Sequence, residues 1–350
     1  MSPWSRSCQS RNPSASEHYR LIAFRVIAGS TASGLLRGGS YRVSPPAEES
    51  GSPIPAKLLF AVKKQRWLPK GDPLKDADCI AFLQWALPKL GLCWAGFRKV
   101  RKQVCKRLAR RLKQLELHSL DEYRAQLAGD PEEWSVLDSM CRITISRFYR
   151  DKGVFQALTD IVLPAIAQRA AEEKRDATCW SAGCASGEEV YTLKIIWNAL
   201  VSPAREKAIN LAVIGTDIDD VVLQRARVGC YQRGTLREMP DTLVVDHFEL
   251  VGGLLCVKDE HRHGVSFVKQ DIRAAMPAGP FDLILCRNLV FTYFELELQR
   301  RVLSELAARL RPEGYLVIGS HETLPDGVSG FTPIPESRLI LQYRPSSIGV

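Results

Sequence analysis

The sequence has 350 residues, of which 45% are hydrophobic, so a globular chain of about two domains is expected. Its longest apolar runs fall short of the roughly 20 residues that a membrane span needs, and we expect no membrane insertion. The net charge of +9 at pH 7 favours an acidic partner, such as nucleic acid, anionic lipid or an acidic protein surface.

Residues 1–75 differ in composition from the rest of the chain. They are rich in Ser, Gly, Pro and Arg, and Glu17 is the only acidic residue before Glu48. The tract SPPAEESGSPIP is typical of a flexible segment, so we predict a disordered or low-complexity leader. An Arg- and Ser-rich, acid-poor composition is also typical of an organellar transit peptide, although no clean amphipathic helix accompanies it.

Residues 76–155 are predicted to form a small all-helical domain and a linker. The stretch CIAFLQWALPKL has helical spacing, which Pro88 should end or kink. Ser119 and Glu122 form a capping box before YRAQL. Asp130 is predicted to cap a further helix whose first position is a proline.

An amphipathic helix is predicted over residues 97–115. Its apolar stripe consists of Phe97, Val100, Val104, Leu108, Leu112 and Leu115. The opposite side, named the basic face below, consists of Arg98, Lys99, Lys102, Lys106, Arg110 and Lys113. A solvated surface is one interpretation and a dock for an acidic partner is the other. Aromatic residues for stacking on bases are missing from this face, which disfavours nucleic acid.

Residues 156–345 are predicted to form an α/β domain with a mostly parallel sheet, because strand and helix patterns alternate. Strands are predicted in TCWSAG, LAVIGTD, VSFVKQD, FDLILCRN, GYLVIGS and RLILQYR. The last two strands suggest an antiparallel edge. Residues 234–264 interrupt the alternation and are predicted to form a small inserted subdomain that contains a hairpin.

The ten cysteines are spread along the chain, mostly within apolar runs. There is no CxxC pair and no histidine at zinc-finger spacing, so we expect no metal site. Buried free thiols in a reducing cytosol are favoured over disulfides, and we expect a cytoplasmic protein.

The loop after the first predicted strand suggests a small-molecule site. Gly183 and Gly187 allow unusual dihedrals and a close approach to the backbone, and Glu188 and Glu189 open the next helix. Paired carboxylates would repel a pyrophosphate, and the dinucleotide pattern GxGxxG is absent. A cationic ligand without phosphate is therefore favoured, and S-adenosylmethionine, with its sulfonium and amino groups, fits that description.

The other predicted strands also end in polar residues, and in α/β sheets the ligand lies at these ends. Asp217 ends the second strand, where a carboxylate would accept hydrogen bonds from ribose hydroxyls. Gln270 and Asp271 follow the next strand and could face an adenine amine. Arg287 and Asn288 lie beside the expected reaction centre.

Several blocks of this domain resemble a known family. WSAGCASGEEVYTL, IGTDID, FDLILCRNLVFTYF and LRPEGYLVIGSHETL are similar to signature blocks of the CheR-type chemotaxis methyltransferases, and SRFYRD is similar to the family's Thr-x-Phe-Phe-Arg segment. The resemblance covers about residues 78–345. It implies a Rossmann-like class I methyltransferase domain with a small inserted β-subdomain, preceded by a small all-helical domain. It also implies methyl transfer from S-adenosylmethionine to glutamate side chains of receptors, giving methyl esters.

The resemblance implies a set of cofactor contacts. With the two glycines of the loop, they are Thr144, Ser146, Arg150, Gly183, Gly187, Glu188, Asp217, Asp271, Ile272, Asn288 and Leu289. Glu188 would hold the methionine part of the cofactor and Asp217 its ribose. Asp271 and Ile272 would lie near the adenine.

Two residues are implied to act at the methyl acceptor. Arg150 would attract and orient the acceptor carboxylate, and Tyr293 would orient either partner through its hydroxyl. Asn288 and Leu289 would line the methyl-donor pocket beside them. A glutamate is already ionised at pH 7 and needs no general base, so the enzyme would act mainly by positioning the reactants.

The resemblance also implies a partner. In the family, the helix corresponding to residues 97–115 is thought to meet the acidic methylation region of a receptor helix. We therefore expect an acidic protein acceptor, in the form of a chemoreceptor-like helix, on the basic face.

Three departures from the family affect these expectations. Gly319-Ser-His-Glu322 exchanges the Ser and His of the usual Gly-His-Ser-Glu block, the segment 288–293 is one residue longer, and residues 234–264 are divergent. Two alternatives therefore stay open: a methyltransferase for RNA or a small acid, and a cofactor-binding module without catalysis. The retained Arg150 and Asn288 argue against the module.

Overall fold

The computed structural model describes residues 74–201 and 209–345. The predicted leader, residues 1–75, thus lies almost wholly outside the described residues. Among the residues that the structure describes, no helix has both the length and the apolar character that a membrane crossing requires.

The described chain begins with helices, as the capping signals predict. The helices are α1 (Asp76–Ala86), α2 (Trp94–Phe97), α3 (Arg101–Gln114), α4 (Leu120–Gly129) and α5 (Pro131–Cys141). Pro88 lies in the 3₁₀ turn that follows α1. The Ser119 side chain accepts the Glu122 N–H at 3.2 Å, and the Asp130 side chain accepts the Glu132 N–H at 3.0 Å, so both predicted caps are confirmed.

The prediction of one continuous helix over residues 97–115 is wrong at its N-terminal end. Helix α3 begins at Arg101, and Phe97 instead ends the short α2. The break follows from tertiary packing. A Cβ added to Gly96 would lie 2.0 Å from the Thr292 carbonyl oxygen, and the Phe97 ring packs on Tyr293 at 5.0 Å between centroids. Helix α2 is therefore held against a different part of the molecule from α3.

The following part of the chain is α/β. Its helices are α6 (Lys152–Ala157), α7 (Leu163–Glu172), α8 (Glu188–Ile196), α9 (Asp220–Val228), α10 (Asp241–His247), α11 (Val290–Tyr293) and α12 (Leu296–Ala307). Its strands are β1 (Ala177–Ala182), β2 (Leu211–Asp217), β3 (Cys230–Tyr231), β4 (Phe248–Val251), β5 (Leu254–Val257), β6 (Val265–Lys269), β7 (Phe281–Leu285), β8 (Leu310–Val317), β9 (Phe331–Ile334) and β10 (Ser337–Tyr343).

Within the described residues, seven strands form one sheet in the order β6–β2–β1–β7–β8–β10–β9. All neighbours are parallel except that β10 runs antiparallel to β8 and β9, so the predicted antiparallel edge is confirmed, while β9 itself was not predicted. The chain passes from β1 to β2 on one side, and β7 lies on the other side of β1. This reversal opens a crevice at the carboxyl ends of the strands.

Side chains of the central strands alternate between two buried clusters, as the period of two in a strand requires. Cys179 and Leu283 face α6, α7 and α8 on one side. Trp180 and Ile284 face the other side, where apolar residues of the N-terminal helices belong to the same cluster. Backbone hydrogen bonds join the two parts, including one from the Cys93 N–H to the Tyr293 carbonyl at 2.8 Å. The helical segment thus forms one wall beside the strand ends.

A small antiparallel sheet in the order β3–β5–β4 interrupts the α/β alternation. The predicted hairpin is β4–β5, which turns at Gly252 and Gly253 with positive φ at both, as tight hairpins favour. Pairing reaches back to Cys230, before the predicted start of the insertion at residue 234. The domain boundaries themselves stay a prediction.

The expectation of free thiols is wrong for four cysteines. Disulfides join Cys79 to Cys105 and Cys230 to Cys256. Each pair is 26 residues apart in the sequence and is brought together only by packing of α1 on α3 or by the register of β3 with β5. The thiols of Cys141, Cys179, Cys184 and Cys286 are free and buried, and burial raises their pKa values.

Candidate active site

A cavity lies at the carboxyl ends of β1, β2, β6 and β7. Its wall is built by the linker residues 141–150, by the loops after these strands, and by Leu92 and Phe97 of the helical segment. The cavity therefore occupies the crevice that the reversal of strand order creates.

Most of the predicted site residues meet in this cavity. The wall includes Thr144, Ser146, Arg150, Gly183, Asp217, Asp271, Ile272, Asn288, Leu289 and Tyr293. Gly187 and Glu188 do not line it. These residues are far apart in the sequence, from Thr144 to Tyr293. The sheet, and the linker that runs past it, bring them together.

Gly183 and Gly187 differ in the neighbours that a side chain at each position would meet. Both have positive φ, of 70° at Gly183 and 84° at Gly187. A Cβ on Gly183 would lie 2.6 Å from Leu289 Cδ2 within the cavity wall. A Cβ on Gly187 would lie 2.9 Å from Ala226 Cβ and 3.0 Å from Phe267 Cζ, away from the cavity. Gly187 thus packs against α9 and β6 outside the cavity lining, and a contact of this residue with a ligand stays a prediction.

The two glutamates of the loop are not equivalent. Glu189 lines the cavity, accepts the Ser181 hydroxyl at 2.8 Å and pairs with Arg287 at 2.7 Å. Glu188 is buried, and its Oε2 has no hydrogen-bond partner. Burial raises the pKa of Glu188 to about 7, against contributions that include the Ser146 hydroxyl. A buried carboxylate without a cation is unfavourable, so Glu188 is suited to a cationic ligand group.

Asp217, the last residue of β2, is mostly buried in the cavity wall. Its Oδ2 accepts the Ala185 N–H at 3.0 Å and its Oδ1 accepts the Asp219 N–H at 2.9 Å. Burial raises the pKa of this carboxyl, while the two N–H donors oppose the rise. A carboxylate has about four lone-pair sites, so it can accept further hydrogen bonds from hydroxyl groups.

Gln270 and Asp271 also differ in the hydrogen-bonding capacity that remains for a ligand. Asp271 is held by Arg273, at 2.9 Å, and Arg273 continues to Asp138 of α5 at 2.6 Å. The Oε1 atom of Gln270 is buried and has no hydrogen-bond partner. Gln270 is therefore the better acceptor for an exocyclic amine, and Asp271 belongs to a bridge between the helical segment and the sheet. Nothing local in the sequence indicates that bridge.

Arg150 lies between two residues with left-handed backbone. Tyr149 has φ of 57° and Asp151 has φ of 63°, a conformation that is strained for residues other than glycine. The Arg150 side chain donates to the Ile145 carbonyl at 3.1 Å. In the described part of the chain, no carboxylate forms an ion pair with it, so its charge is available in the cavity.

Arg287 holds this strained segment in place. Its guanidinium is buried between Asp151 at 2.6 Å and Glu189 at 2.7 Å, donates to the Arg150 carbonyl at 3.0 Å, and lies over the Phe155 ring at 5.4 Å. The sequence places Arg287 beside the reaction centre, but its charge is neutralised by two acids. Its role is therefore to position the neighbouring residues.

Glu322 shapes the loop after β7. Its carboxylate accepts the N–H groups of Asn288 at 2.9 Å and Leu289 at 3.1 Å, and the Thr292 hydroxyl at 2.6 Å. Asn288 has φ of 54°, a conformation that these bonds hold. Sequence reasoning overlooked Glu322, although the acid in the Gly319–Glu322 block was a signal. The exchanged His321 of that block is exposed, which explains why the exchange leaves the loop intact.

Tyr293 ends α11 and lines the cavity. Its ring packs on Phe97, and burial raises the pKa of its phenol. The hydroxyl is therefore protonated at pH 7, so it can donate a hydrogen bond and is not suited to act as a base.

The basic face is exposed at all six positions. The other arginines of α3 are engaged within the protein: Arg101 pairs with Asp76, Arg111 pairs with Glu133, and Arg107 donates to backbone carbonyls. The first two residues of the basic face directly follow Phe97, which lines the cavity.

The chain is similar to several known proteins. Residues 144–339 match the family described as CheR methyltransferase, SAM binding domain. The chemotaxis protein methyltransferase of Klebsiella aerogenes is 32% identical over 259 residues, or 71% of this chain and 84% of that protein. Chemotaxis protein methyltransferase 2 of Pseudomonas aeruginosa is 34% identical over 226 residues, or 63% of this chain and 77% of that protein. The N-methyltransferase NodS from Bradyrhizobium japonicum WM9, solved in complex with S-adenosyl-l-homocysteine, aligns at 15% identity with a TM-score of 0.26 over 45% of this chain and 58% of that chain.

Proposed function

The chain belongs to the CheR methyltransferase family and is an S-adenosylmethionine-dependent methyltransferase, and we propose from this premise that it methylates glutamate carboxylates of a chemoreceptor. The observation that carries the proposal is one acid and one cation around the cavity: Arg150 lines it, and Glu188 lies buried outside the lining, in contact with Ser146 of the wall. Glu188 is a buried acid with an unpartnered oxygen, and Arg150 is a cation without an acidic partner among the described residues. A cationic methyl donor would pair with Glu188, and an anionic methyl acceptor would pair with Arg150.

The residues around the cavity fit S-adenosylmethionine. Glu188 Oε2 and Gln270 Oε1 are buried acceptor atoms without partners, which suit the amino group and the adenine amine. Asp217 retains lone pairs for the ribose hydroxyls. When bound, the cofactor supplies a methyl group activated by a cationic sulfur.

The protein's own contribution is positioning. A glutamate side chain is ionised at pH 7, so no residue has to remove a proton from it. Arg150 would orient this carboxylate through charge-assisted hydrogen bonds, and Arg287 would keep Arg150 in its strained place. Tyr293 would donate a hydrogen bond from its neutral hydroxyl, and Glu322 would fix the Asn288 backbone.

The basic face would receive the acidic helix that carries the acceptor glutamate. Four of its six exposed side chains lie on α3, and the other two lie on the turn between α3 and Phe97 of the cavity wall. Charge complementarity of this kind raises association rates and selects partners more than it adds affinity.

The test is the chemistry of the product. The protein is incubated with methyl-labelled S-adenosylmethionine and an acidic helical fragment of a chemoreceptor, and the product is treated with mild alkali. Carboxyl methyl esters release volatile labelled methanol, whereas methylated amines or RNA bases keep their label. The control is the same fragment with its acceptor glutamates changed to glutamine, which should take up no label.

Each other outcome has a meaning. Alkali-stable label, or transfer to RNA or to a small acid in place of the fragment, would refute the glutamyl-ester proposal. Binding of the cofactor without transfer to any acceptor would favour a non-catalytic binding module.

A further inference from the structure

Three potential metal ligands converge outside the cavity. His247 ends α10, and Glu260 and His261 lie in the 3₁₀ turn that follows β5. His261 Nε2 is 3.0 Å from His247 Nδ1 and 3.0 Å from a Glu260 carboxylate oxygen, and the remaining separation, from His247 Nδ1 to Glu260, is 3.8 Å. None of the three residues lines the cofactor cavity, so the cluster is independent of the methyl-transfer site.

These separations match a single small cation. Zinc binds imidazole nitrogen and carboxylate oxygen at about 2.0–2.2 Å, so ligand atoms of one ion are at most about 4 Å apart. All three separations here, 3.0, 3.0 and 3.8 Å, are below that limit. One position can thus lie at bonding distance from all three atoms without a large movement.

The surroundings of the cluster resemble those of metal sites in burial and in outer contacts. His261 is 1% exposed, so its ring is fixed by packing, whereas the Glu260 side chain is 63% exposed and leaves the site open to solvent on one side. The other ring nitrogen of His261, Nδ1, is 3.1 Å from the Asn198 side-chain amide. The contacting atom is the amide nitrogen, which donates to Nδ1 while no ion is bound; in a ligating histidine the second N–H instead donates to an outer partner, which the oxygen of the same amide can supply.

We propose that His247, Glu260 and His261 bind one divalent first-row transition cation, with zinc as the probe ion. The donor set of two imidazoles and one carboxylate suits zinc and its neighbours, whereas Mg²⁺ and Ca²⁺ prefer oxygen ligands alone. An exposed fourth position would be taken by water. This proposal departs from the expectation of no metal, which was based on spacing within the sequence.

The expected effect of the ion is to fasten the inserted subdomain. Asn198 lies in the π-helical turn Trp197–Val201 at the end of α8, and its amide also donates to the Glu260 carbonyl at 3.2 Å. The ion would join α10 and the 3₁₀ turn, and Asn198 would connect both to the helix that carries Glu188. With the ion on Nε2, the proton of the neutral His261 ring lies on Nδ1. Asn198 would then turn its amide oxygen to this N–H and give up its donation to the Glu260 carbonyl.

Without a cation, the same contacts make a plain hydrogen-bonded histidine pair. Burial, followed by the charge of His247, lowers the pKa of His261 to about 4, so a neutral ring can donate from Nε2 to His247. This is the rival explanation that the experiment must separate.

The experiment uses the full chain. Zinc affinity is measured by competition with a chromophoric chelator, and thermal unfolding is followed with zinc, Mg²⁺, Ca²⁺ or no added metal. We expect one zinc per chain and a higher Tm with zinc only. His247→Gln and Glu260→Gln should weaken zinc binding by about 100-fold or more, beyond the 10–100-fold expected for the outer-partner variant Asn198→Ala.

The control is His263→Gln, which removes an exposed histidine close in sequence but outside the cluster, and which should bind zinc as the unchanged protein does. Circular dichroism checks that each variant folds. Co²⁺ bound to the unchanged protein gives a readout that needs no variant: nitrogen and oxygen ligands give weak visible bands without the strong near-ultraviolet absorption of a thiolate complex. Thiolate absorption, no zinc binding at micromolar concentration, or equal affinity in His247→Gln would overturn the proposal.

Discussion

In one part of the cavity wall Asp217 and Gln270 offer acceptor oxygens, with the Glu188 carboxylate buried behind Ser146, whereas Arg150 and Tyr293 offer donors in another part. We name the first group the donor side, because it would bind the methyl donor. We name the second group the acceptor side, because it would bind the methyl acceptor. The donor side is built from the ends of adjacent strands and the start of α8. The acceptor side is assembled from the linker, the loop after β7 and the helical segment.

This difference in construction has a functional consequence. The strand ends are neighbours in the sheet, so the donor side needs little beyond the sheet itself. The acceptor side depends on long-range contacts, such as those of Arg287 with Asp151 and of Gly96 with Thr292. Variants should therefore affect one substrate at a time, and the five tests below run from the largest expected effect to the smallest.

The largest effect is expected for Glu188→Lys on the donor side. The change puts a cation where a buried acid lacks one, which should cost about 3–5 kcal/mol and raise the cofactor Kd by more than 100-fold. Isothermal titration calorimetry measures this. Glu336→Lys, an exposed charge reversal in the turn between β9 and β10, should bind the cofactor normally. Normal binding by Glu188→Lys would place the cationic group of the cofactor elsewhere.

On the acceptor side, Arg150→Ala should lower kcat/KM for the receptor fragment by about 10–100-fold, because charge-assisted hydrogen bonds contribute about 1.5–3 kcal/mol. The cofactor Kd should change by less than about threefold. Steady-state kinetics with the fragment varied, together with calorimetry, separates the two constants. A large loss of cofactor affinity with little change in the KM of the fragment would assign Arg150 to the donor side.

The pH dependence of cofactor binding should report on Glu188. Because burial raises the pKa of Glu188 from 4.5 to about 7, its ionised form becomes available to a cation only as the pH rises through 7. The cofactor Kd should thus fall by roughly tenfold between pH 6 and pH 8, and Glu188→Gln should remove this dependence. The same raised pKa favours the ligand-free fold at low pH, a contribution that is complete below 4.5 and lost as the pH approaches 7. Cofactor affinity that rises with pH while the stability of the ligand-free protein falls would support the assignment, and affinity and stability that change in the same direction would contradict it.

Gly96→Ala should disturb the acceptor side through α2. The added Cβ would lie 2.0 Å from the Thr292 carbonyl oxygen, so overpacking should lower the free energy of unfolding by about 1–3 kcal/mol and raise the KM of the fragment several-fold. Gly129→Ala is the matched control, because a Cβ there has nothing within 4 Å. Chemical denaturation and kinetics measure the pair. Equal free energies of unfolding of the two variants would show that α2 moves to accommodate the Cβ without loss of stability, which would contradict the prediction.

The smallest effect is expected at the basic face. Lys102→Glu with Lys106→Glu should raise the KM of the fragment about three- to tenfold at low salt, with kcat and the cofactor Kd unchanged, since each exposed ion pair contributes up to about 1 kcal/mol. The effect should shrink as salt is added. An effect that persists at high salt, or that appears in the cofactor Kd, would argue against electrostatic docking.

Much of the fold and of the donor side could be predicted from local signals. The caps at Ser119 and Asp130 form as expected, because capping depends on residues only two or three positions away. The alternation of strands and helices predicts a sheet, and a sheet brings its strand ends together. Asp217 and Gln270 therefore meet in the cavity, as expected from their positions after β2 and β6.

The pairing of charged groups on both sides could be predicted less well, because it depends on distant partners. Glu188 and Glu189 are neighbours and look alike in the sequence, but Arg287, 98 residues after Glu189, neutralises only one of them. Glu322 controls the loop at Asn288 from 34 residues away. No local sequence pattern predicts which of these side chains will pair with each other.

The sequence by itself determined the order of elements, the helix caps and the residue types at the strand ends, since each follows from backbone preferences over a few neighbours. Only the tertiary structure decided that Phe97 leaves α3 to pack on Tyr293, that Cys79 and Cys105 are bonded, and that His247 meets His261. Burial and charge pairing set these outcomes, and both depend on which distant segments the fold brings into contact.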